Sequence, residues 1–179
     1  MCSDLDALLE RQVDSGLLEV RKGTYTLTSE GRERLNVVLA GGVFDILHPG
    51  HVFFLERAKA YGDVLVVVVA RDSTVTRRKR IPVVPEEQRV EMVAALKPVD
   101  IALLGERKDI FATVEKVGPD TIVLGPDQSL SEEHISSELR KRGIGCRVVR
   151  VKEYRKCRLP STRSILQRII ELNFPDRRV

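Results

Sequence analysis

The sequence predicts an α/β fold in which a doubly wound, five-stranded parallel sheet follows a small first unit of different pattern. From Val37 onward, short aliphatic runs alternate with amphipathic stretches. The aliphatic runs are rich in β-branched residues, as is typical of strands buried on both faces. Five strand–helix pairs in succession imply parallel strands joined by right-handed crossovers, with helices on both faces of the sheet.

Each predicted strand is a short aliphatic run, and each is followed by a helical pattern. The runs are 37–40, 64–70, 101–104, 121–124 and 146–151, and the helical patterns cover 51–61, 86–96, 110–117, 132–141 and 162–171. Pro85 and Ser131 mark helix starts, because each precedes two glutamates that suit the positive end of a helix dipole. Ligands of such sheets bind beyond the carboxyl ends of the strands, where the strand order reverses.

Residues 1–36 have a different pattern of helix, hairpin and short helix. Leu5–Val13 is amphipathic, the stretch from Gly16 to Leu27 suggests a hairpin, and Thr28 opens a second helix. This order resembles the latter half of a winged-helix module but is too short for a complete one. We therefore predict two domains, 1–36 and 37–179, with the first as a docked appendage or a dimerisation element, which leaves a homodimer open.

The net charge of +4 is unevenly distributed along the chain. Residues 1–36 hold seven acidic and five basic side chains, so this segment carries −2 and the remainder +6. A DNA-binding module needs a basic recognition helix, and the aromatic content of 4% offers few stacking platforms for single strands. The charge therefore argues against nucleic acid and for a smaller polyanion.

Composition also limits where the protein acts. The 42% hydrophobic content excludes a disordered chain, and the longest aliphatic run is too short to cross a bilayer. Three cysteines and an acidic, polar start at Met1–Asp4 do not suggest a secreted disulfide scaffold. We expect a cytoplasmic protein that does not bind membranes.

A glycine turn with two histidines follows the first strand of the sheet. The segment reads Gly-Gly-Val-Phe-Asp-Ile-Leu-His-Pro-Gly-His over residues 41–51. A strand, a glycine turn and a helix start together direct backbone N–H groups at an anion. His48 and His51 are three residues apart, so at a helix start both can donate hydrogen bonds to the same phosphate group. A zinc site would need a third protein ligand, and the remaining histidine, His134, lies far along the chain, so we predict no fixed metal ligand.

The motif Gly-x-Phe-Asp-x-x-His-x-Gly-His resembles that of the cytidylyltransferase-like nucleotidyltransferases, and the resemblance covers about Val37 to Leu172. It implies a Rossmann-like domain that joins a nucleoside monophosphate to a substrate phosphate and releases pyrophosphate. The reaction would be one in-line attack on the α-phosphorus. His48 and His51 would stabilise the transition state, with a divalent cation on the phosphates.

The resemblance assigns further residues to ligands. Those expected at the nucleotide or its phosphates are Val43, Phe44, His48, His51, Lys79, Arg89, Gly125, Asp127, Ser161 and Thr162. Asp45 and Arg89 are expected at the acceptor substrate. Lys79 lies in the basic run Arg77–Arg80, where the family places a flexible loop, and Arg89 ends a match to the family's Glu-x-Arg helix start. Ser161 also suits a helix N-cap.

Several stretches favour the archaeal-type FAD synthetase branch, which implies transfer of AMP from ATP to FMN. They are Ala-Arg-Asp at 70–72, Val-Leu-Gly-Pro-Asp-Gln at 123–128, and the late cysteines Cys146 and Cys157. The run 158–163 departs from that of glycerol-phosphate cytidylyltransferases, whereas heptose-phosphate adenylyltransferases share the segment 44–52. A sugar- or polyol-phosphate nucleotidyltransferase therefore stays open, as does a nucleotide-sensing DNA-binding regulator.

The two late cysteines are expected to be sensitive to oxidation. Cys157 lies between Lys156 and Arg158, an electropositive setting that favours the reactive thiolate. Cys146 lies in an apolar strand and fits equally well as a small buried side chain.

Overall fold

The computed structural model describes residues 2–78, 81–107 and 109–174. They form two units, with the boundary after Asn36. The first unit contains helix α1 (Cys2–Asp14), an antiparallel hairpin of β1 (Leu18–Arg21) and β2 (Thr24–Leu27), and helix α2 (Ser29–Glu33). Gly31 is the one buried residue within residues 4–36. The described side chains of this unit therefore form no buried apolar core, and its likeness to a winged helix stays a prediction.

The second unit has a five-stranded parallel sheet, which confirms the predicted fold class. Its strands are β3 (Val37–Gly42), β4 (Val64–Val69), β5 (Ile101–Leu104), β6 (Thr121–Leu124) and β7 (Arg147–Arg150), in the order β5-β4-β3-β6-β7. The helices are α3 (Pro49–Lys59), α4 (Asp72–Arg78), α5 (Glu86–Ala94), α6 (Ile110–Val117), α7 (Glu132–Lys141) and α8 (Thr162–Asn173). The strand order reverses at β3, so the ligand crevice is expected between the carboxyl ends of β3 and β6.

Apolar residues on alternate sides of β3 build two cores. Val38 and Ala40 are fully buried in a cluster that includes Leu55 of α3. Leu39 faces the other way, in a cluster with Leu139 of α7. Because side chains alternate across a strand, a run that is aliphatic at every position is buried on both faces.

Helix α4 was not predicted. The family resemblance implies a flexible loop over Arg77–Arg80, and this expectation is wrong for Arg77 and Arg78, which end α4. The helix has one buried apolar residue, Val75, so it lacks the repeating apolar face by which a helix is recognised in a sequence. Lys79 lies outside the described residues.

The described parts of the chain contain no helix that is both long and apolar enough to cross a membrane.

Candidate active site

Two stacked histidines lie at the start of α3, directly beyond β3. His48 is the N-cap in an extended conformation, and Pro49 follows at the first helical position. The His51 N–H donates to the His48 carbonyl at 2.9 Å. The ring centroids of His48 and His51 are 3.8 Å apart with 25° between their planes. The spacing of three residues therefore brings both imidazoles to one side of the helix start, as the sequence predicts.

Phe44 packs against the ring of His51. The residue is 2% exposed, and its ring centroid lies 5.2 Å from that of His51. The Phe44 backbone has a φ of 51°, in the left-handed region that aromatic residues rarely adopt. A Cβ on Gly42 would lie 2.7 Å from the Phe44 ring, so only glycine fits beneath this turn. Any ligand contact at Phe44 must therefore come from its backbone.

The protein keeps both imidazoles neutral near pH 7. Burial lowers the pKa of His48, and burial together with the charge of His48 lowers the pKa of His51 to about 4. The Asp127 carboxylate acts in the opposite direction on both rings. The Nδ1 atoms of both rings are buried and have no hydrogen-bond partner among the described residues. This leaves Nε2 of each ring as the nitrogen available to a ligand.

The loop after β6 faces the histidine pair across the switch point. It carries Asp127, and a Cβ on Gly125 would lie 3.6 Å from the Asp127 Oδ1. The Gln128 side-chain amide donates to the Gly41 carbonyl of β3, which fastens the loop to the neighbouring strand. Gln128 was not among the predicted site residues, because the pattern of side chains does not show which backbone carbonyl lacks a partner.

A second helix begins beside α3. Ser161 and Ser164 form a reciprocal capping box at the start of α8, with each hydroxyl accepting from the other residue's backbone N–H at 3.1 Å. A Cβ on Gly50 would lie 3.3 Å from the Pro160 carbonyl oxygen, so the two helix starts adjoin. Helix N-termini attract anions, and Thr162 is the first residue of this second one.

Arg89 is enclosed rather than open to ligand. Its side chain is 0% exposed. Its Nε donates to the Val84 carbonyl at 2.9 Å, its Nη1 to the Val43 carbonyl, and its Nη2 to the Asp72 carboxylate at 2.6 Å. In this structure Arg89 therefore joins the histidine loop, the segment before α5 and the start of α4. Arg89 has no exposed nitrogen in this structure that could make the predicted contact with a phosphate.

Asp45 also holds the histidine loop against the segment before α5. It is 2% exposed, and its Oδ1 accepts from Val83 N at 2.8 Å and from Val84 N at 2.9 Å. The carboxylate thus ties the histidine loop to residues 83–84, and the expected contact of Asp45 with the acceptor substrate stays a prediction.

A family model described as "Cytidylyltransferase-like" matches residues 39–168. The chain belongs to the cytidylyltransferase-like family. The matched range lies within the 37–172 expected from the motifs and contains both histidines, the Asp127 loop and the start of α8. The first 36 residues lie outside it.

Two relatives of this cytidylyltransferase-like chain share a printed name, and a similar solved structure carries a different one. The chain is 55% identical over 141 residues to "FAD synthase" of Methanothermus fervidus, covering 77% of this chain and 97% of the relative. It is 56% identical over 138 residues to "FAD synthase" of Methanopyrus kandleri, covering 75% and 92%. A solved structure of a "lipopolysaccharide core biosynthesis protein" from Thermoplasma volcanium is 45% identical, with a TM-score of 0.66, and covers 68% of this chain and 99% of that one.

The cysteines of the cytidylyltransferase-like domain are not joined to each other. Cys146 and Cys157 are both half-buried and free of a disulfide. Burial raises the pKa of the Cys146 thiol to about 11, so it stays protonated at neutral pH. The protonated thiol is a poor nucleophile, which makes Cys157 the better candidate for oxidation.

Within the described ranges, no cluster of three or more His, Cys, Asp or Glu side chains is arranged to hold a metal ion.

Proposed function

We propose that this protein is an FAD synthase, which transfers AMP from ATP to FMN and releases pyrophosphate. The observation that carries the proposal is identity of 55% and 56% to two proteins of that name, over 97% and 92% of their lengths. The histidine pair supports it, because two neutral imidazole donors at a helix start suit a phosphoryl group that passes through an in-line displacement.

The chemistry is one displacement. An oxygen of the FMN phosphate attacks the α-phosphorus of ATP, the new P–O bond forms as the bond to the β-phosphate oxygen breaks, and pyrophosphate leaves with that electron pair. The attacking phosphate is already anionic, so no general base is required. We assign the Nε2–H groups of His48 and His51 to the oxygens of the transferring phosphoryl group, where negative charge must be stabilised.

Neighbouring elements have distinct roles in this proposal. The starts of α3 and α8, with Ser161 and Thr162, would receive the phosphates that leave, and the loop with Gly125 and Asp127 would receive the nucleoside. ATP would enter as its complex with a divalent cation, because Mg²⁺ is commonly held by substrate phosphates and retained waters. The predicted contact of Lys79 with the phosphates is part of this proposal.

An apolar rim favours FMN over a sugar phosphate as acceptor. Ile81 is 77% exposed and Val83 is 57% exposed, on the segment that Asp45 and Arg89 hold against the histidine loop. Exposed apolar side chains on a segment fixed at its backbone are suited to a flat aromatic ligand. The flavin ring would cover them, whereas glycerol or a sugar offers hydroxyl groups.

A sugar- or polyol-phosphate nucleotidyltransferase is the second candidate. The structure from Thermoplasma volcanium, whose name refers to lipopolysaccharide core biosynthesis, supports it at 45% identity. A nucleotide-sensing DNA-binding regulator is less well supported, because residues 1–36 carry a net charge of −2. Dimerisation through that unit and a cytoplasmic location stay predictions.

One assay separates these candidates. The full chain is incubated with Mg²⁺ and either ATP or CTP, against FMN, glycerol 3-phosphate or a sugar 1-phosphate, and pyrophosphate and FAD are measured. We expect FAD and pyrophosphate from ATP with FMN, and background release from the other pairs. Turnover of another pair without FAD from FMN would refute the proposal.

A further inference from the structure

Arg150 contacts the loop after β6 and the first residue of α7 through the three nitrogens of its side chain. Its Nη1 donates to the Gly125 carbonyl at 2.7 Å and to the Gln128 carbonyl at 3.1 Å. Its Nη2 donates to the Leu130 carbonyl, and its Nε donates to Glu132 Oε1 at 3.2 Å. The side chain is 17% exposed. One guanidinium on the edge strand β7 thus contacts the beginning, the middle and the end of the loop 125–130.

This loop carries the carboxylate that faces the histidine pair. Asp127 lies between Gly125 and Gln128, two residues whose carbonyls Arg150 holds. On its other side the loop is fastened to β3 through the Gln128 side chain. The loop therefore spans the switch point between two restraints, one from each neighbouring strand, and its shape depends on both.

We propose that Arg150 is a positioning residue that holds the loop 125–130 in the shape that receives the nucleotide. It acts through the loop carbonyls and does not touch the substrate. The assignment of the nucleotide to this loop rests on the proposed function.

The geometry requires arginine rather than any cation. Three carbonyl oxygens and one carboxylate surround the side chain, and the planar guanidinium directs its five N–H groups outward in fixed directions. A lysine ammonium at position 150 would keep the charge but could not reach the carbonyls of Gly125, Gln128 and Leu130 together. Carbonyls left without a donor must turn toward water, and the loop moves with them.

The test compares ligand binding by variants of the full chain. Arg150→Gln removes the guanidinium, and Arg150→Lys retains only the charge. Glu132→Gln keeps the three carbonyl contacts, and Arg147→Gln changes an exposed arginine on the same strand. Calorimetry with ATP and with CTP, both in the presence of Mg²⁺, measures the nucleotide side. Quenching of FMN fluorescence measures the acceptor side, and hydrogen exchange of residues 125–131 measures the loop itself.

We expect both Arg150 variants to bind the nucleotide about tenfold more weakly, because the binding loop loses the charge-assisted hydrogen bonds that hold it in the parent protein. Their loop amides should exchange faster, while FMN binding stays within about twofold of the parent protein. Glu132→Gln and Arg147→Gln should bind the nucleotide as the parent does.

Unchanged nucleotide affinity and unchanged exchange in a folded Arg150 variant would overturn the inference, and so would an equal loss for Glu132→Gln. Equal weakening of both ligands would also overturn it, because it would indicate a general structural defect. Preference for CTP over ATP in the parent chain would count against FAD synthesis, while the comparison among variants would still decide the role of Arg150. If the parent binds neither nucleotide, faster exchange confined to residues 125–131 in both Arg150 variants supports the positioning role, and its absence refutes it.

Discussion

Acidification should destabilise this protein through His51, over a pH range that the site defines. Burial and the neighbouring His48 lower the pKa of His51 to about 4 from 6.5. Between these two values the unfolded chain binds a proton that the folded protein does not, so the free energy of unfolding falls as the pH falls. The contribution of His51 to the free energy of unfolding is intact above pH 6.5 and is lost progressively as the pH falls toward 4.

The size of the effect follows from the two pKa values. A drop from 6.5 to about 4 corresponds to about 3 kcal/mol between the extremes. At pH 5 the unfolded imidazole is almost fully protonated and the folded one almost neutral, and the linkage relation gives a loss of about 2 kcal/mol relative to pH 7.5.

Urea denaturation at pH 7.5 and pH 5.0 measures this loss. The comparison is between the parent protein and His51→Asn, whose side chain is polar and does not titrate. Carboxylates titrate in both proteins, so their contribution cancels in the difference. We expect the parent to lose about 2 kcal/mol more than the variant between the two pH values. His134→Asn, at an exposed position in α7, is the control and should behave as the parent does.

Parallel pH profiles for the parent and His51→Asn would refute the reasoning. They would mean that the His51 ring is protonated as readily in the folded protein as in the unfolded chain, because a nearby carboxylate outweighs the effect of burial. The assignment of a neutral imidazole to the catalytic step would then have to be abandoned as well.

Further predictions concern catalysis, acceptor choice, stability and oxidation. His51→Asn should lower kcat for FAD formation by about a hundredfold or more, as for loss of one oxyanion donor, and a fully active variant would contradict the mechanism. Val83→Ser should raise the KM for FMN about fivefold and leave the KM for ATP unchanged, with Leu172→Ser as an exposed control. Equal effects on both KM values would exclude the apolar rim as the surface that binds FMN. Arg89→Met should lower the free energy of unfolding by about 3 kcal/mol in urea titrations, because it leaves buried acceptors without their donor, and a loss below about 1 kcal/mol would argue that water replaces the guanidinium. Cys157→Ser should reduce inactivation by hydrogen peroxide, and equal inactivation of parent and variant would place the oxidation elsewhere.

The sheet was predictable because most of its strands are aliphatic at nearly every position. Val64–Val69 forms β4 within one residue of the predicted run, and the burial of both faces accounts for the pattern. Helix α4 could not be found in this way, because Val75 is its one buried apolar residue. Its position depends instead on Asp72, which bonds to Arg89 seventeen positions away.

The histidine pair was predictable, but its supports were not. A spacing of three residues at a helix start is visible in the sequence, and the stacked rings confirm it. Arg89 was expected to bind phosphate because its segment resembles the family's Glu-x-Arg helix start, yet its partners include a carbonyl 46 residues away. The same holds for Arg150 and Gln128, which bond to carbonyls of the loop and of β3. Side-chain patterns do not report the direction of a backbone carbonyl, so such contacts require the structure.

The supports lie on opposite sides of the histidine loop, and under the proposed function we expect them to act on different substrates. On the β4 side, Arg89 and Asp45 fix the loop against the segment that carries the apolar rim. On the β6 side, Arg150 and Gln128 fix the loop that carries Asp127. Both sets bond to backbone, so the imidazole Nε2 atoms stay available between them. Changes on the β4 side should therefore alter binding of the acceptor, changes on the β6 side should alter binding of the nucleotide, and changes to the histidines should alter the chemical step while both substrates still bind.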